Sequence, residues 1–193
     1  MTVQHTGQAP SPWLQRWAHL LPIGGRVLDV ACGSGRHLRW LAAQRLQPTG
    51  IDRDSAALAL SQDLVAAGLA TLINADIEAG PWPCTGQQFD GVLVANYLWR
   101  PLWPQLLASL APGAVLVYET FADGNQTVGK PSRPDFLLQP GELLQHCAGL
   151  RVVAYEDGFL DGPPRYVQRL VALAPDPAAG PAPRHHLQPP GAA

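Results

Sequence analysis

Four points along the chain join a strand-like run to residue types that hold a small polar ligand. Gly33-Ser34-Gly35 follows Arg26–Val30, Asp52 ends the run from Pro48, Asp76 follows Ala70–Ala75, and Asn96-Tyr97 follows Gly91–Ala95. Glycine has no Cβ, so a ligand can approach the backbone at the first of these. The helix start behind Gly35 also turns unpaired N–H groups toward such a ligand. A carboxylate at Asp52 can accept both hydroxyl hydrogens of a ribose, and one at Asp76 can accept from an exocyclic amino group such as adenine's. Asp29, inside the run before the glycine turn, can order the turn or meet a cationic amino group. Arg36 or His37 can meet a carboxylate. Blander roles compete: Asp52 as a helix cap, Asp76 as a solvated loop carboxylate, and Arg36 and His37 as exposed helix surface.

The elements that must position these residues follow from periodicity and punctuation. Ser11-Pro12 starts a helix in which Trp13, Leu14, Trp17, Leu20 and Leu21 recur at helical spacing. Those tryptophans serve as core or as a pocket wall. Strand one is Arg26–Val30, followed by a helix over 35–45 and strand two over 48–52. A helix over 56–67, with Asp54 or Ser55 as its cap, ends at Gly68. Strand three is 70–75. Phe89-Asp90 opens strand four, 91–95. A helix over 101–110, a turn at Ala111-Pro112-Gly113 and strand five over 114–120 come next. The stretch 121–139 is long and irregular, which marks a functional loop. A short helix over 142–147 precedes strands at 150–155 and 166–173. Strands alternating with helices imply a parallel sheet covered on both faces, with ligands at the carboxyl ends of its strands.

The 193 residues are 47% hydrophobic and 15% charged, which suits one globular domain, placed at 11–174. A disordered N-terminus is expected over 1–10 and a Pro-rich disordered tail over 175–193. The formal net charge of -2, without a dense basic run, argues against a nucleic-acid partner. No apolar run approaches the roughly 20 residues that span a bilayer, and the polar first residues carry no secretory signal. Cys32, Cys84 and Cys147 fit neither a zinc pattern nor a disulfide framework, and His185-His186 is read as incidental, so no metal is expected. A cytoplasmic setting is the default.

Leu28-Asp29-Val30-Ala31-Cys32-Gly33-Ser34-Gly35 resembles the first motif of class I S-adenosylmethionine (SAM)-dependent methyltransferases. Gly50-Ile51-Asp52 resembles their second motif and Asn74-Ala75-Asp76 their third. Phe89–Val94 and Leu110–Leu116 resemble the fourth strand and the loop and strand after it. The likeness covers about Gly24–Thr120. It implies an α/β fold: a Rossmann-like, mostly parallel seven-stranded sheet with helices on both faces and a reversed final strand. It implies SAM as cofactor, bound by Asp29, Ala31, Gly33, Gly35, Arg36, Asp52, Arg53, Asp76, Ile77 and Asn96. Ala31 stands where many members carry glycine; its small size makes tolerance the expectation, with a slight shift of the cofactor. Gly35-Arg36 and the segment from Gly129-Lys130-Pro131 to Phe136-Leu137-Leu138 resemble the small tellurite-resistance and thiopurine-type members. A nicotinamide dinucleotide site shares the glycine turn and a downstream acid, but it needs a third glycine where this chain has Arg36.

Methyl transfer from a sulfonium releases a neutral thioether. The enzyme's work is then positioning, with a base needed only if the acceptor must lose a proton. No triad is expected and no catalytic residue is assigned. The acceptor pocket is expected from the N-terminal helix, the segment Tyr97–Arg100 and the 121–139 loop. Tyr97, Trp99, Tyr118 and Phe121 are candidate aromatic walls. Tyr97, Arg100, Lys130 and Arg133 are candidate substrate contacts, the three cations for an anionic acceptor unless they are plain surface charges. Asn96-Tyr97-Leu98-Trp99 replaces the Asn-Pro-Pro-Tyr or Asp-Pro-Pro-Tyr signature of amino-methylating enzymes, which points to a small-molecule methyl acceptor. The alternative is a SAM-binding regulatory or interaction protein without methyl transfer. Oligomeric state is left open.

Overall fold

Ser11 caps the first helix as its place before Pro12 requires. Its Oγ accepts from the N–H groups of Trp13 (3.1 Å) and Leu14 (3.3 Å), and α1 runs Pro12–Trp17 before a 3-10 turn, Ala18–Leu20. The computed structural model describes residues 9–180 and 183–189; most of the expected disordered N-terminus, and positions 181–182 and 190–193 of the expected tail, lie outside the described residues.

The elements then run β1 (Arg26–Val30), α2 (Arg36–Ala43) and β2 (Gln47–Asp52). The single helix expected over 56–67 is two, α3 (Ser55–Ala59) and α4 (Gln62–Ala66). The break falls at Ser61, whose buried Oγ donates to the Ser34 carbonyl at 2.8 Å and so ties the segment to the glycine turn. Asp54, not Ser55, caps α3 by accepting from Ala56 N (2.9 Å) and Ala57 N (3.1 Å). β3 (Thr71–Asn74), β4 (Phe89–Ala95), α5 (Trp103–Ala108) and β5 (Leu110–Phe121) follow. β5 begins earlier than the Pro-Gly turn suggested: Leu110 pairs with Phe89, and a register shift absorbs the extra residues before Val115 pairs with Gly91. The chain closes with α6 (Glu142–His146), β6 (Arg151–Asp161) and β7 (Pro164–Leu173). Pairing in the last two runs down to Asp161 opposite Pro164, so both strands extend well into the 156–165 stretch that separates the expected strands at 150–155 and 166–173.

The sheet order is β3-β2-β1-β4-β5-β7-β6, with β1 to β5 parallel and β7 antiparallel to both its neighbours. This is the Rossmann-like, mostly parallel seven-stranded sheet with a reversed final strand. Alternation along each strand splits the core in two. Val27, Leu93, Val115, Val117 and Val171 pack under α1 and α2, while Leu28, Val92, Val94, Leu116 and Leu170 pack under α5 and α6. Trp13 and Trp17 are buried in the first layer, and Trp13 Nε1 donates to the Leu170 carbonyl at 3.3 Å. Of the two roles open for α1, the structure gives it the core one. No described helix is long and apolar enough to cross a membrane.

Candidate active site

Parallel register brings four strand ends to one level. Val30 lies opposite Ile51 and Val94, Asp52 opposite Asn74, and Ala95 opposite Glu119. Ala31, Asp52, Asp76 and Asn96 therefore leave the sheet on the same rim. The turn after β1 requires left-handed backbone at Ala31 (φ 56°), Gly33 (φ 55°) and Gly35 (φ 78°). A Cβ on Gly35 would stand 2.2 Å from Ser61 Oγ, so that position needs glycine on two counts. Ala31 stands in a conformation that strains an L-residue by about 1–2 kcal/mol.

The carboxylates tie the turns together. Asp52 Oδ2 accepts from Gly33 N at 2.7 Å and its Oδ1 from Asp54 N at 2.9 Å, so it links β2 to the glycine turn while Asp54 does the helix capping. Asp76 Oδ1 accepts from Glu78 N (3.0 Å) and Ala79 N (3.2 Å), which fixes the turn after β3. Tyr97 hydroxyl donates to Glu78 Oε1 at 3.2 Å, and Arg53 Nη1 lies 3.8 Å from Glu78 Oε2. Burial, with the Glu78 carboxylate beside it, raises the Tyr97 phenol well above its ordinary range, so it stays a donor at neutral pH.

These residues surround one cavity of about 410 Å³, within the range of small-ligand sites. Ala31, Asp52, Arg53, Asp76, Ile77 and Asn96 of the expected cofactor set line it. Asp29, Gly33, Gly35 and Arg36 do not; they stand behind it at the turn. Asp29 and His37 are 1% and 3% exposed, with His37 Nδ1 3.5 Å from Asp29 Oδ2, and neither Asp29 Oδ2 nor His37 Nε2 has a hydrogen-bond partner. His37 is thus not exposed helix surface. On the lining itself the carboxylates of Asp52, Asp76 and Glu78 suit a cationic ligand that brings hydroxyl and amino donors, so the residues present fit SAM. Arg36 is half-buried and its Nη1 donates to the Ala9 carbonyl at 3.4 Å. Cys32, in the same turn, is buried, and burial with Asp29 and Asp52 nearby pushes its thiol far above the ordinary range, so it packs rather than reacts.

On the far side the cavity meets Tyr97, Leu98, Thr120, Phe121, Pro131 and Phe136. Tyr97 and Phe121 are walls as expected. Tyr118 is core instead: it stacks on Trp103 with ring centroids 5.0 Å apart, and its hydroxyl donates to the Tyr97 carbonyl at 2.9 Å. Trp99 is outside the lining. The three candidate cations are not brought to the cavity. Arg100 holds Glu142 through Nε (2.6 Å) and Nη2 (2.9 Å) and donates to the carbonyls of Asp135 and Leu137, both at 2.9 Å. Arg133 pairs with Asp135 at 2.7 Å and lies over the Phe136 ring, and Lys130 is exposed. Leu98, Pro131 and Phe136 lie in the two segments expected to build the acceptor pocket, though none was singled out there, while Glu78 and Thr120 lie outside both. Thr120 was findable, since the strand expected over 114–120 ends on it, next to the exit of β4.

Residues 27–112 match the family model described as a methyltransferase domain. No curated protein matches the chain. Among solved structures, the chain resembles a SAM-dependent methyltransferase from Methanosarcina mazei at 17% identity and TM-score 0.66, over 88% of this chain and 100% of that one. It resembles a TehB-like SAM-dependent methyltransferase from Corynebacterium glutamicum at 19% identity and TM-score 0.63, over 86% and 89%. It resembles TehB from Haemophilus influenzae at 19% identity and TM-score 0.62, over 78% of this chain and 57% of that one. At these identities the likeness to the solved structures is one of fold. The match over 27–112 takes in the glycine turn, Asp52, Asp76 and Asn96.

Proposed function

We propose that this chain is a class I SAM-dependent methyltransferase that moves the methyl group of SAM to a small-molecule acceptor. The observation that carries the acceptor reading is that one cavity, of about 410 Å³, is shared by cofactor-side and loop-side residues. A walled space of that size admits a small ligand whole. A net charge of -2, without a dense basic run in the sequence, argues against a nucleic-acid backbone as the acceptor. The three unpaired, buried cysteines fit a reducing, cytoplasmic setting.

On this reading Asp52 accepts from the ribose hydroxyls, Asp76 offers its remaining oxygen to the adenine amino group, and Asp29, behind the lining, orders the glycine turn. Arg53, Ile77 and Asn96 complete the wall around it. When bound, SAM supplies an electrophilic methyl: the acceptor's lone pair forms the new bond, the carbon–sulfur pair stays on the departing thioether, and any acceptor proton goes to water. The chain's own part is to hold and orient. The Tyr97 phenol, donating to Glu78, fixes the wall after β4 and does not serve as a base.

The test is formation of S-adenosylhomocysteine with a panel of small thiols, phenols, chalcogen oxyanions and carboxylates. Turnover on a member of that panel is expected. Turnover confined to protein or nucleic-acid substrates would overturn the small-molecule reading. Cofactor binding without turnover on anything tested would move the chain to the regulatory class.

A further inference from the structure

The loop-side half of the cavity has a chemical character that its sequence neighbourhood hides. We infer that this half takes an uncharged, apolar, ring-sized molecule rather than an anion; the inference rests on the methyltransferase reading above and names its acceptor class.

Four of the six loop-side lining residues, Leu98, Phe121, Pro131 and Phe136, offer only apolar atoms from their side chains, and Tyr97 adds an aromatic face. Thr120 and the Tyr97 hydroxyl are the polar groups, and both are neutral. Flat apolar walls favour a flat apolar ligand through burial and ring packing.

The cations that would hold an anion are engaged elsewhere. The Arg100 guanidinium, bidentate on Glu142 and bonded to two loop carbonyls, has its charge and geometry committed to holding the loop. Arg133 is paired with Asp135, and Lys130 stands outside the lining. The charged groups that do line the cavity are Asp52, Asp76 and Glu78 against Arg53, and Arg53 is itself beside Glu78. That surplus of carboxylate suits the cationic methyl donor and leaves no positive charge for an anionic acceptor, which would also lose its hydration on entry.

The experiment compares two probes with one ring system and different charge. With the protein saturated by S-adenosylhomocysteine, 2-naphthol and 2-naphthoate are titrated calorimetrically at neutral pH. The expected result is 2-naphthol binding at one site, with 2-naphthoate at least tenfold weaker. Phe136→Asp, at a rim residue 42% exposed, is expected to weaken 2-naphthol at least tenfold while S-adenosylhomocysteine affinity is unchanged. Phe121→Ala is the second variant and should act the same way. Equal or tighter binding of 2-naphthoate, no binding of 2-naphthol, or 2-naphthol affinity unchanged in both variants would overturn the inference while leaving the methyltransferase reading intact. Failure of S-adenosylhomocysteine itself to bind would instead bring down that reading, and this one with it.

Discussion

The two sides of the cavity are built by different means. On the β1–β3 side, each wall is a strand end followed at once by a turn, and the turns are locked by short-range bonds: Asp54 N to Asp52, Glu78 N and Ala79 N to Asp76. One longer bond, Gly33 N to Asp52 Oδ2 at 2.7 Å, joins two adjacent strands. On the loop side, Pro131 and Phe136 are carried by a segment that returns through an isolated bridge between Ala122 and Leu138 and is held by Arg100 reaching to Glu142. The first side is set by backbone conformation and carboxylates. The second is set by a clamp between distant residues around an apolar hollow. The contrast teaches that the cations near a site can be its scaffold while its specificity lies in residues with no charge.

The largest expected effect falls on the glycine turn. Gly35→Ala combines left-handed strain of about 1–2 kcal/mol with overpacking against Ser61 of about 1–3 kcal/mol, so chemical denaturation should show a loss of about 2–5 kcal/mol together with loss of SAM binding. A near-neutral result would mean the turn is not held by Ser61.

Arg100→Ala tests the clamp. It leaves the Glu142 carboxylate, only 11% exposed at its side chain, without its main partner, and should destabilise the chain by about 2 kcal/mol, with SAM affinity unchanged. A variant of normal stability that loses only acceptor binding would return Arg100 to the substrate site. The same pair carries a pH signature. Burial pulls the Glu142 carboxyl upward, but hydrogen bonds from Arg100 and from the Gln139 N–H outweigh it and hold it below the ordinary glutamate range. Because the folded value is depressed, this contribution is full above the unfolded glutamate range and is lost as pH falls through the folded value. Denaturation at descending pH should therefore show a steeper loss in the wild type than in Glu142→Gln.

Asp52→Ala should weaken SAM by at least about 1.5 kcal/mol through lost charge-assisted bonds, a somewhat smaller effect than the clamp. The smallest change is Ala31→Gly, which removes left-handed strain but adds chain entropy in the unfolded state. A gain in stability of up to about 1 kcal/mol is expected by thermal or chemical melting, and a loss would mean the Ala31 methyl makes contacts worth more than its strain.

Much of the first side is visible in the amino-acid order because its determinants are local. Glycines where φ is positive, acids at strand ends and alternating apolar runs are short-range signals, and β1 falls at the positions its pattern implies. The helix after β2 was misread as continuous because its interruption depends on Ser61 reaching Ser34, far away in the chain. The loop side was harder for the same reason. Arg100 looked available until Glu142 was beside it, Tyr118 looked like a wall until it stacked on Trp103, and Phe136 joins the cavity only through the bridge between Ala122 and Leu138.

The account's central claim, a SAM site at the β1–β3 rim, is tested most directly by calorimetric titration of SAM into the wild type, Asp52→Ala and Asp76→Ala. It predicts one site in the wild type, with affinity reduced in each variant while the fold, followed by circular dichroism, is retained. No binding to the wild type at millimolar SAM, or unchanged affinity in both folded variants, would contradict it.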